Sequence, residues 1–157
     1  MQLKHEKGKE KQMQKLADIL TALRQYIKQY HWLARGYDNH LLADRLENEM
    51  GESLDASIDR IKELALASGE GEQIAYADNS LTGALEILKG ISTPTETKTE
   101  TVLNNIGMLI FDYMKESEDY SKRLQGEVFK GAIDNAIFGI GEDMMRRAYL
   151  LNIQLNK

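Results

Sequence analysis

Apolar residues recur at steps of three and four along most of the chain, the spacing of amphipathic helices. The first stripe opens after Glu10 and runs Leu16, Ile19, Leu20, Leu23, Tyr26, Ile27, Tyr30, Leu33. Gly36 closes it, as glycine often does just past a helix end. Asp38 or Asn39 is the expected cap of a second helix, whose stripe is Leu42, Leu46, Met50, Leu54, Ile58, Ile61, Ala65, ending at Gly69 and Gly71. A third stripe holds Val102, Ile106, Leu109, Ile110, Tyr113, Tyr120 and Leu124, and Gly126 interrupts it. The fourth runs Val128, Ala132, Ile133, Ala136, Ile137, Ile140, Met144, Ala148, Leu151, Leu155. Residues 70–94 are too long to be a tight turn between antiparallel neighbours. They contain a short apolar helix, Leu81 to Leu88, ahead of Gly90 and Pro94.

Four long helices, with a long connection after the second, predict an all-α chain: a ferritin-like four-helix bundle with a short extra helix between helices two and three. The length of 157 residues suits one domain, and 42% hydrophobic residues suffice for a core. The single proline agrees with long helices. No cysteine is present, which excludes a disulfide scaffold, a thiolate zinc site, an iron–sulfur site and a cysteine nucleophile. The three histidines are His5, His31 and His40, so any metal site leans on carboxylates.

Charge is unevenly spread. Residues 1–15 carry five lysines and two glutamates, a net of +3, and the remainder carries −8 within the total of −5. Residues 1–9 are expected to form a flexible basic tail ahead of a bundle domain spanning 10–157. Lys4, Lys7, Lys9 and Lys11 suit either a solvated start or non-specific contact with DNA phosphates, with an affinity that falls steeply with salt. No sequence-specific reading element is visible. No apolar run reaches the roughly 20 residues of a membrane span, and no apolar leader follows Met1, so a cytoplasmic location is expected.

Four residues of the second helix carry the most pointed chemistry. At about 100° per residue, His40, Asp44, Asp55 and Asp59 fall within about 100° of arc on a continuous helix, beside its apolar stripe. Such a strip is commonly a solvated edge. Imidazole beside carboxylate also suits iron, manganese or zinc. Asp44 and Asp55 stand roughly 16 Å apart along a straight axis, so one ion cannot take both pairs within one chain. Either the pairs are unrelated, or the helix packs antiparallel on its own copy and His40/Asp44 of one chain meet Asp55/Asp59 of the other. Helices three and four contain no histidine, which disfavours the usual di-iron site inside the bundle.

The run Tyr30-His31-Trp32-Leu33-Ala34-Arg35-Gly36, then His40-x3-Asp44, then Asp55-x3-Asp59-Arg60-Ile61, resembles the signature of the Dps proteins (DNA protection during starvation), the mini-ferritins. The motif resemblance covers about residues 26–69. It implies a shell of twelve subunits built from two-fold dimers. Such shells oxidise Fe(II), usually with hydrogen peroxide, and store Fe(III) inside. It further implies non-haem iron ligands His31, His40 and Asp44 from one chain and Asp55 and Asp59 from its mate, and often non-specific DNA binding through lysine-rich tails.

Two departures stand out. The segment between Gly36 and His40 is about three residues shorter than in that family, and Asp59 stands where the family has glutamate. They favour an alternative reading: a ferritin-like structural or DNA-coating shell protein, or a component of a larger or phage assembly, with a weakened metal site. Trp32 is expected in the core or at an interface, and Met144 and Met145 as core filler. Gly51 suits close approach of a partner helix or a local kink.

Overall fold

The computed structural model of the chain describes residues 7–68, 81–94 and 98–157, with side chains from Met13 onward. The described residues form six helices and no strand: α1 (Lys7–Leu33), α2 (Tyr37–Asn48), α3 (Leu54–Ala67), α4 (Thr82–Lys89), α5 (Thr99–Arg123) and α6 (Lys130–Leu155). The chain is all-α, and no described helix is long and apolar enough to cross a membrane. Helix α1 starts at Lys7, three residues ahead of the expected point, so Lys7, Lys9 and Lys11 lie in its first turns. Lys4, His5 and the stop signals Gly69 and Gly71 lie outside the described residues.

The core follows the stripes. Leu16, Leu20, Leu23 and Ile27 of α1 are fully buried, as are Ile106 and Tyr113 of α5 and Ile137, Ile140 and Met144 of α6. Helix α1 packs on α5, on α2 and α3, and on α4; α5 packs on α6; α6 returns to α3 and α2. These contacts close a circuit of long elements around one apolar cluster. A buried polar knot pins the connection after α4 to it: the Tyr26 hydroxyl donates to the Ser92 carbonyl (2.9 Å), and Asn105 Nδ2 donates to the Tyr26 oxygen (2.9 Å). The ends of the stripes miss the core: Leu33 is 44% and Val128 83% exposed. Met145, expected as core filler, lies open to solvent; Trp32, expected in the core or at an interface, is outside the core of the single chain.

The second helix departs most from expectation. It is two helices, α2 and α3, with a break over residues 49–53. Gly51 takes φ +88, a left-handed conformation that side chains disfavour. Ser53 then caps α3, its hydroxyl accepting from the Ala56 N–H (3.1 Å). Two residues one turn apart on α6 hold the break open. The Asp143 carboxylate accepts from the Glu52 N–H (3.0 Å) and occupies the space that a Cβ on residue 51 would need. The buried Arg147 guanidinium donates to the carbonyls of Leu46 (2.5 Å) and Glu52 (3.0 Å), with a longer contact to that of Glu47 (3.4 Å). The loose carbonyls at the end of α2 thus find a donor from another helix. Burial lowers the Arg147 pKa to about 10, against the opposing pull of Asp143 and Glu52. Glu52 is itself paired with Arg60 at 2.6 Å.

Candidate functional site

The site begins with the turn between α1 and α2. Only Ala34, Arg35 and Gly36 separate the two helices. Gly36 takes φ +87, reverses the chain and leaves α2 without a side-chain cap. Helix α2 therefore starts at Tyr37, ahead of the expected caps Asp38 and Asn39. Asn39 instead ties the turn together: its Nδ2 donates to the Arg35 carbonyl (3.0 Å), and its Oδ1 accepts from the Tyr30 hydroxyl (3.2 Å). Tyr30 is buried, and burial raises its pKa, so the phenol stays a donor.

This turn brings together the two histidines expected as ligands. His31, in the last turn of α1, and His40, in the first turn of α2, meet with their Nε2 atoms 3.1 Å apart. The rings sit edge to face, centroids 4.3 Å apart and inclined at 62°. Asp44 lies one turn beyond His40 on the same face of α2. Glu47 follows three residues later. One Glu47 oxygen lies 3.6 Å from His31 Nδ1, and the other is 2.9 Å from Lys28 Nζ. Glu47 did not emerge from the sequence reading, although its place seven residues after His40 puts it on the same helix face.

Asp55 and Asp59 do not continue this face, because the break separates α3 from α2. Asp55 is exposed and ion-paired with Arg24 Nη1 at 2.6 Å. Asp59, one turn on, is exposed as well. Arg24, Lys28 and His31 recur at steps of four and three along α1, and meet Asp55, Glu47 and His40 in turn: a polar ladder flanking the core. Exposed aromatic surface borders its histidine end, with Trp32 69% and Tyr37 78% exposed.

No family model, curated protein or solved structure matches this chain. The chemical argument therefore rests on the geometry. Two imidazole nitrogens 3.1 Å apart are spaced as neighbouring ligands of one ion, since bonds of about 2.1 Å at a right angle span about 3 Å. A carboxylate beside the other nitrogen of one ring is the arrangement that orients metal-bound histidine. Among the described residues no group of three or more histidine, aspartate or glutamate side chains gathers closely enough to hold a metal ion. Within one chain the site is a pair of nitrogens with Asp44 a turn away.

Proposed function

We propose that this chain is a subunit of a Dps-like mini-ferritin: a ferritin-like four-helix bundle, α2 and α3 together forming its second helix and α4 lying in the long connection. Its shell binds Fe(II), oxidises it with hydrogen peroxide and stores Fe(III). The observation that carries this reading is the close approach of His31 and His40, Nε2 to Nε2 3.1 Å. Iron here is the substrate. His31 and His40 supply neutral nitrogen ligands, and Asp44 supplies oxygen and negative charge. Two nitrogens and one carboxylate leave the ion's shell incomplete, so Asp55 and Asp59 of a second copy complete it across a two-fold axis. Two Fe(II) ions give up one electron each, and peroxide takes both with two protons and leaves as water. The subunits assemble as a dodecamer of such dimers, and Lys4, Lys7, Lys9 and Lys11 repeat twelve times on one particle. Weak phosphate contacts then add through multivalency and hold DNA beside the peroxide sink.

A second reading, a ferritin-like structural or DNA-coating shell with a weakened metal site, is favoured by one observation. Asp55 already pairs with Arg24 at 2.6 Å, and an ion must displace that partner before the carboxylate can bind it. An anaerobic Fe(II) titration followed by peroxide separates the two. The ferroxidase reading expects rapid oxidation by the parent, loss of most of it in the His31→Ala/His40→Ala variant, and an unchanged particle mass by light scattering. Oxidation no faster than buffer by the parent makes the shell reading the better one. A mass equal to one chain at micromolar concentration overturns both.

A further inference from the structure

Two neutral imidazoles meeting nitrogen to nitrogen share one proton. Of His31 Nε2 and His40 Nε2, 3.1 Å apart, one is the donor and the other the acceptor. The contact is symmetric, so the choice is made outside it. Glu47 provides the asymmetry. Its carboxylate lies 3.6 Å from His31 Nδ1, and a negative charge there favours an N–H over a lone pair on that nitrogen. The carboxylate is not free to turn away. Its side chain is only 12% exposed, and its second oxygen is held by Lys28 at 2.9 Å. Lys28 sits three residues before His31 on α1, so both partners of Glu47 come from one helix face. The backbone of Glu47 is anchored too, with its carbonyl 3.4 Å from the buried Arg147.

We propose that Glu47 is the positioning residue of the histidine pair: it holds the His31 proton on Nδ1, leaves His31 Nε2 unprotonated as the acceptor, and makes His40 Nε2 the donor of the shared bond. The assignment orders the two ligands. His31 Nε2 carries no proton of its own and takes a cation once the His40 N–H turns away. His40 must first move its proton from Nε2 to Nδ1, with no change in net charge, before it can bind the same ion. His31 is the entry ligand, and His40 closes on an ion already held. The ligand half of this proposal rests on the reading of His31 and His40 as ion ligands; the proton half stands without it.

Long-range proton–nitrogen correlation spectra of the full-length, histidine-labelled protein, with the imidazoles neutral, read the tautomers directly. The expected result is the Nδ1–H form for His31 and the Nε2–H form for His40. In Glu47→Leu, His31 loses the Nδ1–H preference, and Co(II), used alone as the probe, binds about tenfold more weakly or worse. Glu47→Gln keeps the shape and an oxygen but loses the charge, and is expected to restore the tautomer preference and the affinity only in part. Nδ1–H at His31 with no Co(II) binding by the parent overturns the ion-ligand reading and supports the role of Glu47 in the pair. The Nε2–H form at His31 in the parent overturns the proposal without any variant. So does a Glu47→Leu variant, folded by circular dichroism, whose tautomers and Co(II) affinity both match the parent within about twofold.

Discussion

Replacing Arg147 by methionine tests whether the break between α2 and α3 is held from α6. Arg147 is fully buried, and its guanidinium serves the carbonyls of Leu46 at 2.5 Å and Glu52 at 3.0 Å. Methionine keeps most of the volume, so the packing term is small. Both carbonyls lose their close donor, and a buried polar group left unmet costs about 1–3 kcal/mol. One contribution runs the other way: burial depresses the Arg147 pKa to about 10, so the charge is held at a cost that methionine removes. The net expectation is a loss of about 3 kcal/mol, which in a chain of this size lowers Tm by about 6–12 °C. Urea unfolding followed by helix circular dichroism, at one fixed protein concentration, measures it. Arg147→Lys is expected to fall between, because one ammonium cannot reach both carbonyls in the fork geometry. A loss below about 1 kcal/mol for Arg147→Met refutes the reasoning, since the carbonyls would then have found other donors.

Gly51→Ala combines the cost of a left-handed alanine with displacement of the Asp143 carboxylate from the Glu52 N–H, and is expected to lose about 2–3 kcal/mol. Gly126→Ala shares a φ of +87 but meets nothing within 4 Å, so it is expected to lose only the backbone part, about 1 kcal/mol; equal losses would remove Asp143 from the account. Burial raises the pKa values of Tyr26, Tyr30 and Tyr113 above the ordinary 10.0. Above that pH the unfolded chain has released these protons while the folded chain keeps them, so stability is full below about pH 10 and falls as pH rises. Arg147, lowered by burial, acts in the opposite sense over the same alkaline range, but it is one group against three. Urea midpoints should therefore drop between about pH 9 and pH 11, and a midpoint that holds or rises contradicts the burial of these phenols.

What could be read from the pattern of residues depends on how far away the deciding atoms lie. Helix α5 was legible because every residue of its stripe from Val102 to Leu124 is buried, and burial is what a period near 3.6 encodes. The pairing of His31 with His40 is local, set by a turn whose glycine stands in plain view. The break at Gly51 was open in the sequence, where a glycine within a helical stripe reads equally as a kink or as a close approach. Its resolution comes from Asp143 and Arg147, more than ninety residues away. That break also separates Asp55 and Asp59 from the strip on which they were expected with His40 and Asp44. Glu47 was within reach of the same arithmetic that found Asp44, but a glutamate on a helix edge is too common to single out without its neighbours. Met145 shows the limit of hydrophobicity as a guide to burial, since its side chain on α6 is 58% exposed beside the fully buried Met144.

Helix α2 lies between two glycines at nearly the same left-handed angle, Gly36 at φ +87 and Gly51 at φ +88. Its twelve residues are too few to hold helical shape in water without neighbours. It is therefore a cooperative unit smaller than the domain, anchored by the buried Leu42, Ala43 and Leu46 and latched at its end by Arg147. If α2 opens as such a unit, His40, Asp44 and Glu47 leave α1 together, and Leu42, Ala43 and Leu46 leave the shared apolar cluster with them. Amide exchange over residues 37–48, compared with that of α1, α5 and α6, measures whether this short helix opens ahead of the rest.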